Sequence, residues 1–370
     1  MGFNVNTLMY GYLYICVFLL LYNIIYIFRS KLIKKIHQDK KRDWEKQILY
    51  QFIHLNNDDQ ISDEHRLKLL KKLVKINELL PYHDALESLK EQPNFSKYIE
   101  NLGTIYQQLA YSYSKKDNMK RAFFAYFIAN YPVKSSDNEM LITILLGYLD
   151  DSTIYCRENV LKAMCTLGNE QAVENTLSLF NQNQWFHHQK LVADNLAKFT
   201  GNQESLMKQL WKHKNDWNEN IMVAIVQFIS LANGSFQETF FAYLNDDRGQ
   251  IEIKLAILRY FRTHYYQPVV PLLYAYLNEN DYNENLTIVA AFVLDHYPSK
   301  QTIAVLKQAL YHPNWYVRYN SASSLINLKV SLSDLNDVLN GDDRYAKEIL
   351  TYMYEKEVLH ERNRNISKLC

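Results

Sequence analysis

Apolar and polar positions alternate at helical spacing through the second half of the chain, in blocks that repeat. Between His312 and Leu328, Val317 and Arg318 stand near the start of an amphipathic helix, and Leu325 lies seven residues past Arg318. The same arrangement occurs at Leu286 and Thr287 with Leu294, Ile253 and Lys254 with Phe261, and Ile221 and Met222 with Ile229. It occurs again at His188 and Gln189 with Leu196, and at Cys156 and Arg157 with Met164. The later positions are 164, 196, 229, 261, 294 and 325, so the steps are 32, 33, 32, 33 and 31. A period that steady predicts stacked units, each burying its apolar face on the next.

Each unit reads as two helices. First helices are predicted over 137–149, 170–181, 203–213, 235–244, 267–278 and 300–311. Second helices are predicted over 153–167, 186–199, 219–232, 249–263, 283–296 and 314–327. Polar turns separate them, among them Asp150-Asp151-Ser152, Asn233-Gly234 and Asn245-Asp246-Asp247. A capping pair is expected at 332–339 and 343–360, with the charged tail beyond it fraying. Upstream, polar Asn56 to Gln60 form a turn. Helices are then expected at 62–77, with acid in its first turn, and at 81–91, with Pro81 in its first turn. No stretch sustains strand alternation. The fold class expected is all-α: a right-handed α-solenoid of antiparallel helix pairs behind one N-terminal transmembrane helix.

Leu8 to Phe28 is a run of 21 residues without charge, long enough to cross a hydrocarbon core as a helix. Tyr10, Tyr12 and Tyr26 lie near its ends, where aromatic rings favour the interface. The preceding residues are uncharged and no small-residue cleavage site follows, so an uncleaved anchor is expected rather than a signal peptide. Residues 29–46 carry eight basic side chains against three acidic ones. By the positive-inside rule the N-terminus is expected outside a plasma membrane, with the rest of the chain in the cytoplasm. Arg29, Lys31, Lys34, Lys35, Lys40, Lys41 and Arg42 are the candidate membrane-surface residues. Apolar residues at helical spacing, Leu32 through Phe52, predict that the helix continues through 29–55.

Net charge is +1, and residues 47–370 sum to −4 (33 basic, 37 acidic). Without a basic stripe, no nucleic-acid partner is expected. Only nine Gly residues occur, and no phosphate loop, nucleophile elbow, HExxH or CxxC is present. Cys16, Cys156, Cys165 and Cys370 show no disulfide or zinc spacing and are expected as free thiols. His187 and His188 are adjacent on a predicted helix and diverge by about 100°, too far apart to clamp one metal. One is expected packed and one at the surface. Asp63-Glu64-His65 reads as helix-start chemistry. No cofactor, metal or catalytic residue is expected, and the chain is not expected to be an enzyme.

Residues 103–132 resemble one tetratricopeptide repeat, through Tyr106, Leu109, Ala110 and Tyr113 and then Ala122, Tyr126 and Ala129. Residues 136–330 resemble HEAT repeats of the short bacterial type. The resemblance rests on the Asp-Asp turn before Tyr155-Cys156-Arg157 with Val160, Ala163, Met164, Leu167 and Gly168, and on Pro313, Val317-Arg318, Ser321, Ser324-Leu325 and Leu328. It covers about 190 of the 370 residues. Arg follows the apolar residue only at 157 and 318, with Lys at 254, so a continuous arginine ladder is not expected. The organisation expected is an anchor (1–28), a basic helix (29–55), hairpins (56–135), the solenoid (136–330) and a cap (331–370).

The resemblance implies a concave surface formed by second-helix positions equivalent to 158, 161, 162 and 165. In the middle copies these become largely apolar, edged by Arg259, Arg262 and Asp295, and the candidate groove is Val223, Gln227, Leu255, Leu258, Arg259, Arg262, Ile288, Phe292, Asp295 and Tyr319. The function expected is a membrane-anchored scaffold that binds protein partners, themselves membrane-associated, in bacterial envelope or exopolysaccharide assembly. The alternatives are an accessory subunit of a membrane-bound synthase and a solenoid that binds a small ligand.

Overall fold

A computed structural model describes residues 5–56, 59–133, 138–246, 248–279 and 282–367. The turn positions Asn57, Asp58 and Asp247, the repeat start at Ser136 and Cys370 lie outside the described residues. Twenty α-helices and no strand occur among those described. The chain divides into two compact units, Met1–Ala172 and Val173–Cys370.

The first unit is built on α1, Val5–His54, a single helix of 50 residues. From Met9 to Phe28 it is exposed and almost wholly apolar. Its last turns are core, with Trp44, Ile48 and Gln51 buried on one face. That face packs on α3 (Ile76–Leu89), which follows α2 (Asp63–Lys72). The N-cap of α2 is Ser62, whose side chain accepts the His65 amide, with Asp63 and Glu64 in the first turn where the helix dipole favours acid.

The helix expected over 62–77 ends at Lys72, and the next begins at Ile76, five residues before Pro81. Pro81 therefore lies inside α3, not in its first turn. A proline there has no N–H for the carbonyl four residues back, that of Asn77. Lys40 of α1 supplies the donor, its Nζ 3.2 Å from Asn77 O and 2.7 Å from Glu78 Oε1.

Helix α4 (Phe95–Glu100) follows, entered through Asn94 in the left-handed region. Then come α5 (Gly103–Ser114), α6 (Asn118–Asn130), α7 (Glu139–Leu146) and α8 (Ile154–Leu167). Helix α5 pairs with α6 and packs on α7, and α6 packs on α8. Helix α8 ends at Gly168, φ 72°, the left-handed cap that glycine adopts without strain.

The second unit begins within α9 (Glu170–Gln182). It continues with α10 (Gln189–Leu196), α11 (Gln203–Lys212), α12 (Glu219–Leu231), α13 (Gln237–Leu244) and α14 (Ile251–Thr263). After these come α15 (Val270–Asn278), α16 (Glu284–Val293), α17 (Lys300–Ala309), α18 (Trp315–Asn327), α19 (Asn336–Leu339) and α20 (Arg344–Ser367). Helix α20 runs through most of the tail that was expected to fray. Pairs form between α11 and α12, α13 and α14, α15 and α16, and α17 and α18. The second helices also touch one another in series: α10 on α12, α12 on α14, α14 on α16, α16 on α18 and α18 on α20. Met164, Leu196, Ile229, Phe261, Leu294 and Leu325, the six positions that carry the sequence period, are all fully buried.

The abundance of tyrosine has a structural use. A buried hydroxyl must find a partner. Tyr113 donates to Leu73 O at 2.8 Å and Tyr148 to Ala110 O at 2.6 Å. In the second unit Tyr260 donates to Gly234 O and Tyr297 to Phe261 O, each at 2.7 Å. Each of these four bonds ties one helical segment to the main chain of an earlier one.

Candidate interaction surface

The series of second helices decides which outward positions reach solvent. On α12 and α14, Val223, Val226, Leu255 and Leu258 are buried, with Leu258 fully so. These helices touch their neighbours directly, so side chains aimed at the next copy become interior. The apolar groove read from the sequence is therefore not open at Val223, Leu255 or Leu258. These three are core.

What stays accessible is one row. Positions equivalent to 162 are Asp194, Gln227, Arg259, Phe292 and Ser323 in the second unit, and each is partly or fully exposed. Ile288 and Tyr319, at the neighbouring position, are partly exposed. The positions equivalent to 161 (Ala193, Val226, Leu258, Ala291 and Ala322) are all buried. The surface is thus narrower and more polar than the sequence implied. Arg259 is its exposed cation.

Arg262 and Asp295, read as rims of the groove, instead bind each other. The guanidinium meets the carboxylate with both ends, Nε to Oδ1 at 3.1 Å and Nη2 to Oδ2 at 2.8 Å. The same Arg262 lies 4.0 Å over the Phe292 ring. Asn327 donates to Asp295 Oδ2 at 3.0 Å, and His296 Nδ1 also bonds the carboxylate. The Asp295 side chain is 1% exposed. Burial pushes its carboxyl upward, but the hydrogen bonds from Arg262, His296 and Asn327 outweigh this and hold it below its ordinary range. The cluster joins α14, the turn after α16, and α18. Its links from Asp295 span 33 residues back to Arg262 and 32 forward to Asn327, matching the sequence period.

A second kind of link occurs at two positions that are equivalent by the sequence period. Asn159 donates to Ala122 O at 3.2 Å in the first unit. Asn320, at the equivalent position, donates to Ile288 O at 2.8 Å in the second. In between, the same position carries Leu191, which is exposed, and then Ala224, Ala256 and Val289, which are buried. Arg318 bonds its own entrance turn, at Pro313 O, and lies 5.1 Å over the Tyr345 ring of α20. These asparagine and aspartate links were missed in the sequence because the reading followed arginine. The recurrence of Asn at 159 and 320 in register was a signal available for finding one of them.

The histidines are placed as follows. His187 is buried and stacks on Phe180, ring centroids 4.3 Å apart. His188 is exposed and is the N-cap of α10, its side chain accepting from the Lys190 amide. His188 was assigned to a core position, but α10 begins at Gln189 and leaves it as the cap, while Val192, Leu196 and Phe199 of the same copy are buried in register. His65 is buried, hydrogen-bonded through Nε2 to Tyr98 OH, which in turn meets Tyr82 OH. Burial, with the charge of Lys68 nearby, pulls His65 down to about 4. Among the described residues no group of three or more His, Cys, Asp or Glu is placed to hold a metal. Cys156 and Cys165 are buried, and burial raises the Cys156 thiol to about 11.

The basic residues after the apolar stretch separate into two sets. Arg29, Lys31, Lys34 and Lys35 are exposed. Lys40 is engaged by α3, and Lys41 pairs with Glu45 at 3.5 Å. Arg42 is exposed, 3.9 Å from Asp39.

Comparison with protein-family models finds none that matches, and no curated protein matches the chain. The class is therefore defined by structure: an all-α protein whose N-terminal helix is long and apolar enough to cross a membrane.

Proposed function

We propose that the chain is a non-catalytic adaptor anchored in a membrane by α1. In this reading the N-terminus is outside and the HEAT-like repeats lie in the cytoplasm as a solenoid. The row at Gln227, Arg259, Phe292 and Tyr319 receives a membrane-associated protein. The observation that carries the reading is the continuity of α1. One helix holds both the exposed apolar stretch and the buried Trp44, Ile48 and Gln51 that organise the first unit. A helix shared by the apolar stretch and the core of the first unit tethers the chain at a membrane and raises the effective concentration of a partner there.

The test uses the full chain in its native membranes. Arg259→Glu combined with Gln227→Lys alters the row without touching the core. Loss of a crosslinked partner, with melting unchanged, supports the reading. The same partner recovered with undiminished yield from the double variant rules out the row as its site. A protease-cleavable tag at the N-terminus should be cut from outside, and one at the C-terminus only after permeabilisation.

A further inference from the structure

We propose that Arg29–Ile36 of α1 is a binding site for anionic phospholipid headgroups, and that Lys40, Lys41 and Arg42 lie outside it. The inference rests on the membrane reading of α1 above.

Arg29, Lys31, Lys34 and Lys35 place four cations within seven residues, and no acid occurs from 29 to 38. All four are exposed, and none forms an ion pair within the described residues. At about 100° per residue, Lys31, Lys34 and Lys35 fall on one side of the helix and Leu32, Ile33 and Ile36 on the other. Leu32 is 58% and Ile33 61% exposed, so no other part of the described chain covers that apolar face.

Depth separates the two basic sets. Taking Phe28 as the last residue in hydrocarbon, a rise of about 1.5 Å per residue puts positions 29–35 in the first ~10 Å beyond the core, the level of the headgroups. Lys40 to Arg42 then lie about 18–21 Å out. That is about 8–11 Å past the headgroup layer, at or beyond the Debye length of about 8 Å, so the surface potential there is weakened. Lys40 and Lys41 also have their own carboxylates, Glu78 and Glu45.

The occupant follows from charge. A second copy packed in parallel along the lysine stripe would bring three like charges from each chain together. An anionic leaflet neutralises them. With Lys31, Lys34 and Lys35 on one side, and Leu32, Ile33 and Ile36 on the other together with Arg29 at the core boundary, α1 leaves the bilayer leaning, its apolar side against the acyl boundary and its lysines among phosphates.

The full chain is reconstituted in phosphatidylcholine nanodiscs containing spin-labelled phosphatidylglycerol or spin-labelled phosphatidylcholine. The fraction of immobilised label is then read. Wild type is expected to immobilise the anionic label preferentially, with the preference weakened by salt. Lys31→Gln, Lys34→Gln and Lys35→Gln together should remove it, by roughly fivefold per residue at the upper limit. Lys40→Gln, Lys41→Gln and Arg42→Gln together should leave it intact. A wild-type chain with no preference, or a second triple variant that loses as much as the first, overturns the proposal. A chain washed out of the discs at alkaline pH sinks the membrane reading along with it. A chain that stays inserted without selectivity sinks only the lipid site.

Discussion

Where α1 meets α3, the contact is stitched at its rim by polar groups. Lys40 reaches Glu78 and the Asn77 carbonyl, His37 meets Asp84 at 2.7 Å, and Ser88 donates to Glu45 at 2.6 Å. Where α12 meets α14, aliphatic side chains close the interface, with Val223, Val226, Leu255 and Leu258 buried. The two seams face different demands. Helix α1 is apolar and exposed for half its length, so apolar character alone does not tell α3 where to dock. Charged and polar partners specify the register. In the stacked second helices, the periodic turns already set the register, and burial supplies the stability.

The largest effect expected is at Leu258. Leu258→Ala removes a fully buried side chain and should cost about 2–5 kcal/mol in a denaturation series on the detergent-solubilised chain. Arg259→Ala, one residue on, should fall within about 0.5 kcal/mol of wild type. Equal losses at the two positions would show that α14 does not turn Leu258 inward and Arg259 outward.

Asp295→Ala leaves Arg262, whose side chain is 30% exposed, and Asn327 without their shared acceptor, and a loss of about 1–3 kcal/mol is expected. The pH dependence distinguishes the two units. The Asp295 carboxyl is held low in the fold, so its contribution is complete above the ordinary carboxyl range and is lost only as pH falls through its depressed value. His65 is held neutral, about 4 in the fold against 6.5 unfolded. The unfolded chain therefore binds the extra proton between those values, and stability falls as pH drops from 6.5 to about 4. Melting followed by probes in each unit should show the first unit weakening at the higher pH. His65→Phe should flatten that part of the profile.

Gly234 sits where an added Cβ would lie 2.6 Å from Met207 Sδ and 2.9 Å from Ile229 Cγ2. Gly234→Ala should cost about 1–3 kcal/mol, measured by the same melts. The smallest effect expected is at the α1 seam. Lys40→Met should cost about 1 kcal/mol, and less in a Pro81→Ala background, where the substituted alanine brings its own N–H to the Asn77 carbonyl. An undiminished cost in the double variant would mean that the lysine acts through Glu78 alone.

The helices of the second unit were legible because each turn carries local signals. Asn218, Asn283, Ser299 and Asn314 are N-caps whose side chains accept first-turn amides. The exposed apolar stretch of α1 was legible for the same local reason. The candidate groove was less so. Periodicity marks Val223, Leu255 and Leu258 as apolar and outward from their own pair, but it carries no information on how closely the next second helix approaches.

The sequence by itself determined the helical content, the 31–33-residue period, the apolar N-terminal helix and the concentration of basic charge just beyond it. Each of these follows from neighbours within a few turns or from simple recurrence. Only the tertiary structure decided that Leu258 is core while Arg259 is surface, that Lys40 serves the carbonyl opened by Pro81, and that Asp295 is shared by three residues. Those outcomes depend on contacts between residues 32 to 37 positions apart, or on which neighbouring helix covers a face. Distance along the chain does not encode either.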